Sequence, residues 1–234
     1  MKTISDIKHC FYINLDKRED RKQHVEEQLN QLKIPFNRFK GIEMENGAIG
    51  CSLSHLAILK KAKDEDLPHV LIVEDDIKFL NPSLFIKQIN RFFSTVTNFD
   101  VLLVAGNNMP PFKIINDACV KVEKCQTTTG YLVNKHYYDT LISNIRTGIQ
   151  NLVRYPDLHV KYAIDKYWFM LQERDKWYLI TPLTVIQRAD YSDIEKRQTN
   201  YARGMLDLDK VEFFKYQQEM MKKHYGLSNM TFGS

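Results

Sequence analysis

The sequence predicts an α/β fold, a mostly parallel twisted sheet flanked by helices, on three observations. Strand-like and helix-like patterns alternate as far as about residue 105. Two apolar runs, "HVLIVEDD" (His69 to Asp76) and "FDVLLVAG" (Phe99 to Gly106), are continuous rather than alternating. That is the pattern of parallel strands covered on both faces. The chain has 234 residues, 44% hydrophobic and 26% charged, which suits one large domain with an ample core.

The elements follow in order. "CFYINL" (Cys10 to Leu15) reads as the first strand. Asp16, with Glu19 three residues on, reads as a capping box before a helix that carries Val25, Leu29 and Leu32 on one face. "FNRFKGI" (Phe36 to Ile42) is a second short strand, and Gly41, Gly47 and Gly50 punctuate the loop after it. A helix is expected from about Ser52 to Lys63, broken by "DEDLP". After the "HVLIVEDD" strand, Asn81-Pro82 signals a helix start, with Phe85, Ile89 and Phe92 as its apolar face. Beyond "FDVLLVAG", "GNNMPP" (Gly106 to Pro111) reads as a loop and "TTTGYLV" (Thr127 to Val133) as a strand. A helix runs from Lys135 to about Asn151, followed by a helical or mixed stretch from His159 to Leu171. "KWYLITPLTVIQ" gives one or two strands, and Asp209 to His224 an amphipathic helix with Val211, Phe214 and Met221. Residues 1–234 are expected to form a single domain, with a nucleotide-binding half to about 108 and an acceptor-side half from about 109 to 205.

Composition excludes several classes. The net charge of +4 is small and spread along the chain, so nucleic acid is not singled out. No apolar run is long enough for a transmembrane helix, and the N-terminus shows no signal-peptide core, so a cytoplasmic location is expected. Cys10, Cys51, Cys119 and Cys125 form no C-x-x-C pair and have no neighbouring His cluster. Free thiols and no zinc site are expected.

Three acids at the tip of a buried strand are the sharpest feature. Carboxylates are costly there unless a cation meets them, and ligands of open α/β sheets bind beyond the carboxyl ends of the strands. A hard divalent cation carrying phosphates fits; an ordinary solvated strand end is the plainer alternative. "VLIVEDDIKF" also resembles the opening strand of response-regulator receiver domains, but the acceptor position would be Val104 or Ala105, which cannot be phosphorylated.

A resemblance to glycosyltransferase family 25 covers about residues 9 to 197. Its pieces stand in order: "YINLDKREDR" (Tyr12 to Arg21), "GAIGCSLSHLAILKKA" (Gly47 to Ala62), "VLIVEDDIKF" (Val70 to Phe79), "TTTGYLVNKHYYDTLI" (Thr127 to Ile142), "IDKYW", and "PLTVIQRADYSDI" (Pro182 to Ile194). The resemblance implies a GT-A-like domain and inverting, Mn²⁺- or Mg²⁺-assisted transfer of a hexose from a UDP-sugar to a glycan or glycoprotein acceptor. A catalytically silent glycan- or nucleotide-binding module on the same fold is the alternative.

It also implies roles. Asp76 would hold the metal; Glu74 would share it or contact the ribose, with Asp75 a close alternative. Donor contacts fall on Asn14, Leu15, Arg18, Arg21, Gly50, Ser54 and His55. Arginine forks suit phosphates, and a helix opening at Gly50 would offer free N–H groups to the diphosphate. Thr128, Thr129, Tyr131 and Gln187 are expected on the acceptor side. The catalytic base must be a carboxylate not committed to the cation. Asp157, Asp165, Asp190 and Asp193 are the candidates, with Asp165 first, because it stands in the apolar stretch "YAIDKYWF", and Asp193 second, although it also reads as a helix cap.

Overall fold

In a computed structural model of the chain, residues 1–225 are described. Strand β1 (Cys10–Asn14) leads into α1 (Glu19–Asn30), β2 (Asn37–Lys40), α2 (Gly47–Asp64), β3 (His69–Glu74), β4 (Ile77–Phe79), α3 (Pro82–Thr95) and β5 (Val101–Leu103). A hairpin of β6 (Asn107–Asn116) and β7 (Cys119–Gln126) precedes β8 (Gly130–Asn134) and α4 (Tyr138–Arg154). Three short helices follow, α5 (His159–Tyr162), α6 (Ile164–Tyr167) and α7 (Phe169–Arg174), then β9 (Trp177–Ile180), β10 (Val185–Gln187), β11 (Asp190–Ser192) and β12 (Arg197–Thr199). Helices α8 (Ala202–Leu206) and α9 (Val211–Tyr225) end the described residues.

Eight strands form one sheet in the order β2-β1-β3-β8-β5-β9-β7-β6. Six point one way; β8 and β7 run against them. This is the mixed α/β, mostly parallel sheet that the sequence predicts. Alternation along β3 explains the two layers. Leu71 and Val73 pack in a core with Val25 and Leu29 of α1 and Phe85, Ile89 and Phe92 of α3. Val70 and Ile72 pack on the opposite face with Leu56 and Leu59 of α2 and Leu141 of α4, together with Trp168 and Trp177, both fully buried. The next two residues inherit this alternation, so Glu74 leans toward α2 and Asp75 toward α1. Strand β8 lies antiparallel beside β3, with Gly130 opposite Val73. The Thr127–Thr129 segment therefore arrives at the acid end of β3.

Four expectations need correction. "GNNMPP" is not a loop but the start of β6, at the sheet edge. Pro110 and Pro111 stand where the register with β7 shifts, between Met109 and Phe112, so the missing N–H groups break no central ladder. Asp16 does not cap α1; it pairs with Arg38 and Lys40. Helix α2 begins at Gly47, not Ser52, because the Asn46 side chain accepts from the Ala48 and Ile49 N–H groups. Helix α9 does form, but Val211, Phe214 and Met221 are exposed. Among the described residues no helix is long and apolar enough to cross a membrane.

Candidate active site

The site is built at the C-terminal end of β3, where Glu74, Asp75 and Asp76 leave the sheet in three directions. Asp75 meets α1: its oxygens accept from Arg21 at 3.0 Å and from Asn14 Nδ2 at 2.8 Å. Burial pushes its carboxyl up, against the pull of Arg21 and Asn14. Asp76 sits in the turn to β4, 3.4 Å from Arg21. Its Oδ1 is buried and has no hydrogen-bond partner among the described residues. Burial, then the Glu74 charge, pushes this carboxyl well above the usual aspartate range.

Glu74 turns to the other face. Oε1 accepts from Thr128 Oγ1 at 2.7 Å and lies 3.7 Å from Cys51 Sγ and 3.6 Å from His55 Nε2. Oε2 accepts from Gln187 Nε2 at 3.3 Å. Despite burial, His55 and Thr128 hold Glu74 below its ordinary value. Each of its oxygens already accepts a hydrogen bond and keeps one lone pair, whereas Asp76 Oδ1 has no partner among the described residues and is the oxygen most open to a hard cation.

Arg21 and Arg18 are the cationic half of the site. Arg21 also binds Asp190 at 3.1 Å, and Arg18 binds Asp190 and Asp193, each at 2.8 Å. Arg188 reaches Asp190 at 2.8 Å and Asp20 at 3.1 Å. These bonds tie the β11–β12 hairpin to the first loop. They also decide between the candidate bases. Asp190 is held well below the usual carboxylate range by the Tyr191 N–H, Arg188 and Arg21 despite some burial. Asp193 is lowered in the same way by Arg18, and no helix starts there for it to cap. Both are poor proton acceptors. Asp157 is exposed. Asp165 instead has its carboxyl raised by burial, countered by Lys166 and by the Thr127 N–H that Oδ2 accepts at 3.1 Å. It lies close enough to Glu74 for the two charges to act on each other. Thr127 itself adopts φ 75°, costly for a β-branched residue, so the turn joining Asp165 to Thr128 is strained.

Several expected contact residues turn out to hold the frame. Asn14, almost fully buried, donates its amide to Asp75 and the Arg18 carbonyl and accepts from Arg38, so it has no N–H left for a base. The Leu15 carbonyl accepts from the Arg18 N–H in the loop after β1. Ser54 Oγ donates to the Gly50 carbonyl and accepts from the Ile42 N–H, both at 2.8 Å. Thr129 and Tyr131 are fully buried and Thr128 nearly so, and thus cannot line an open acceptor surface. Their neighbours explain why. The Tyr131 hydroxyl meets His55 Nδ1 at 2.9 Å, and the Thr129 carbonyl accepts from the Glu74 N–H at 3.0 Å. Sequence reasoning missed Arg188, although "RAD" inside the last block was a visible cation–acid pair, and it gave Cys51 no role beyond a free thiol.

Gly50 corrects a further expectation. It lies in the first turn of α2, with its N–H already bonded to the Asn46 carbonyl. A Cβ there would stand 2.5 Å from the Ile42 carbonyl oxygen. Gly50→Val is therefore expected to cost about 1–3 kcal/mol by overpacking, read as a drop in Tm, with the folded fraction binding nucleotide as before. An unchanged Tm with lost nucleotide binding would restore the phosphate-loop reading.

Acids, paired arginines and a buried carboxylate thus converge beyond the carboxyl ends of parallel strands, the usual place for an anionic ligand in an open α/β sheet. A profile of the family described as Glycosyltransferase family 25 (LPS biosynthesis protein) matches residues 7–47 and 40–156. The chain belongs to glycosyltransferase family 25. It is 22% identical to Lipooligosaccharide biosynthesis protein lic2B of Haemophilus influenzae, over 58% of this chain and 62% of that one. It is 28% identical to a Glycosyltransferase 25 family member of Drosophila pseudoobscura pseudoobscura, over 33% of this chain and 17% of that one. The match thus spans under two thirds of either relative's length. Among solved structures, mannose-1-phosphate geranyltransferase from Thermus thermophilus superposes with a TM-score of 0.45 at 9% identity, over 77% of this chain and 74% of that one. A glycosyltransferase involved in the glycosylation of the major capsid of PBCV-1 gives 0.39 at 11% identity, over 75% and 93%.

Proposed function

We propose that the chain is an inverting hexosyltransferase. It moves galactose or glucose from a UDP-sugar to a hydroxyl of a glycan, lipooligosaccharide or hydroxylysine-type acceptor. The observation that carries this reading is the free, buried Oδ1 of Asp76 beside Arg21, in a chain of glycosyltransferase family 25. Asp76 fits a Mn²⁺ or Mg²⁺ ion, which when bound neutralises the charge on a departing diphosphate.

The chain's own residues do the rest. Arg18 and Arg21 exchange Asp190 and Asp193 for phosphate oxygens of the donor. Asn14 holds Asp75 in place, and Gln187 and Thr128 hold Glu74. Asp165 takes the proton from the acceptor hydroxyl as its oxygen attacks the anomeric carbon. The bond from that carbon to the β-phosphate oxygen breaks, the configuration inverts, and the electron pair leaves on UDP. The raised carboxyl of Asp165 suits this role, since a base works best when its pKa approaches the working pH.

The test is a thermal-shift titration with UDP in the presence and absence of Mn²⁺, followed by UDP release across a panel of donor sugars. A Mn²⁺-dependent shift and release with one hexose donor are expected. A shift with no release from any donor would move the chain to a silent binding module.

A further inference from the structure

Helix α2 brings together a group that the cysteine spacing gave no reason to expect. Cys51 and His55 are one turn apart, so both point to the same face, and β3 delivers Glu74 to that face. Cys51 Sγ, one His55 ring nitrogen and one Glu74 oxygen all lie within 4.8 Å of one another. His55 is fully buried and its Nε2 has no hydrogen-bond partner among the described residues, because Glu74 Oε1 at 3.6 Å is out of reach. A polar nitrogen left unpaired in a protein interior costs free energy and calls for an explanation. Its other nitrogen is held by the Tyr131 hydroxyl at 2.9 Å, the arrangement that orients a metal-binding imidazole.

We propose that Cys51 Sγ, His55 Nε2 and Glu74 Oε1 form a site for a thiophilic divalent cation, Zn²⁺ foremost, separate from the hard-cation position at Asp76. The spacing supports it. Tetrahedral zinc with ordinary S, N and O bond lengths sets neighbouring ligand atoms about 3.4–3.6 Å apart; the S–O and N–O separations here are 3.7 and 3.6 Å. The donor set supports it too. Thiolate and imidazole select zinc over Mn²⁺ and Mg²⁺, while the carboxylate of Asp76 suits the harder ions. Three protein ligands leave the fourth position open to water or substrate. Cys51 and Glu74 are partly exposed, which gives the ion a way in. On binding, the Cys51 thiol releases its proton to solvent and the thiolate takes the ion. The site stands whether or not the chain transfers sugar.

Cobalt(II) added to the metal-free full chain is the probe. One equivalent should give a thiolate-to-cobalt charge-transfer band and the intense visible bands of a four-coordinate ion, and Zn²⁺ should bleach both. Cys51→Ser should remove the charge-transfer band; if that variant does not fold, Cys51→Ala reads the same signal. Tyr131→Phe keeps the ring and removes the hydroxyl from Nδ1, so binding should weaken about 10–100-fold. Cys10, Cys119 and Cys125, all buried, stay in every variant and control for other thiols. Asp76→Asn should keep the band, which separates this site from the hard-cation one. A wild-type chain without the band, a band that survives loss of Cys51, or a band lost in Asp76→Asn overturns the proposal.

Discussion

Asp165→Asn is expected to lower turnover about 100-fold or more, the usual contribution of a general base, while UDP and Mn²⁺ still bind. Asparagine keeps the shape, and its carbonyl oxygen can still accept the Thr127 N–H that Oδ2 accepts at 3.1 Å. What is lost is basicity. The pH profile gives an independent check. The Asp165 carboxyl is raised by burial, so activity should fall on the acid side with a midpoint above the ordinary value of 3.8. That limb should vanish in Asp165→Asn, because an amide does not titrate. Asp193→Asn is the control: Asp193 is bound to Arg18 and held low, so its loss should change donor affinity rather than remove the acid limb. Near-normal turnover in Asp165→Asn, with a large loss in Asp193→Asn, would transfer the role.

The second large effect is expected at the metal. Asp76→Ala should abolish Mn²⁺-dependent UDP binding and Mn²⁺-dependent transfer, yet the metal-free protein should be as stable as the parent or more so. Arg21 keeps Asp75 and Asp190 when Asp76 is gone. Removing a buried, unpartnered carboxylate oxygen should return about 1 kcal/mol, or about 2–4 °C in Tm for a chain of this size. The sign with pH follows from linkage. The folded carboxyl titrates well above its unfolded value of 3.8, so the unfolded state loses its proton first. The acid therefore costs stability increasingly as pH rises from about 4 toward the folded value, and nothing below about 4. The Tm gain of Asp76→Ala should grow with pH over that window and disappear under it. A Tm that falls at neutral pH, or metal dependence that survives, would remove Asp76 from the site.

The parts of the fold that the sequence disclosed are those governed by local periodicity. The runs at His69 to Asp76 and Phe99 to Gly106 contain β3 and β5, and Asn81-Pro82 opens α3, because burial on both faces and helix capping leave marks within a few residues. The β6–β7 hairpin was hidden because its prolines lie at an edge irregularity, which only the pairing with β7 reveals. In the site, the acids and arginines were visible as residue types, but their partners come from distant segments, 54 residues apart for Arg21 and Asp75 and 169 for Arg21 and Asp190. Gly50 and Ser54 looked like contacts to a ligand because their motif is compact. The helix start at Asn46, set by a side chain the motif does not include, places them inside the frame.

The arginine–aspartate lattice has a further consequence. Lys17, Arg18, Arg21 and Arg188 are linked in one network with Asp20, Glu43, Asp75, Asp76, Asp190 and Asp193, four cations against six carboxylates. Such a cluster is locally frustrated: no arrangement of its own members satisfies every charge. A bound dication would offset the formal excess of two acids over cations and free the arginines for a diphosphate. The β11–β12 hairpin, fastened to the sheet by these same bonds, becomes an electrostatic flap. Its anchorage should loosen as ionic strength rises and tighten as the site fills, and the rate at which protease nicks residues 190–199 gauges both.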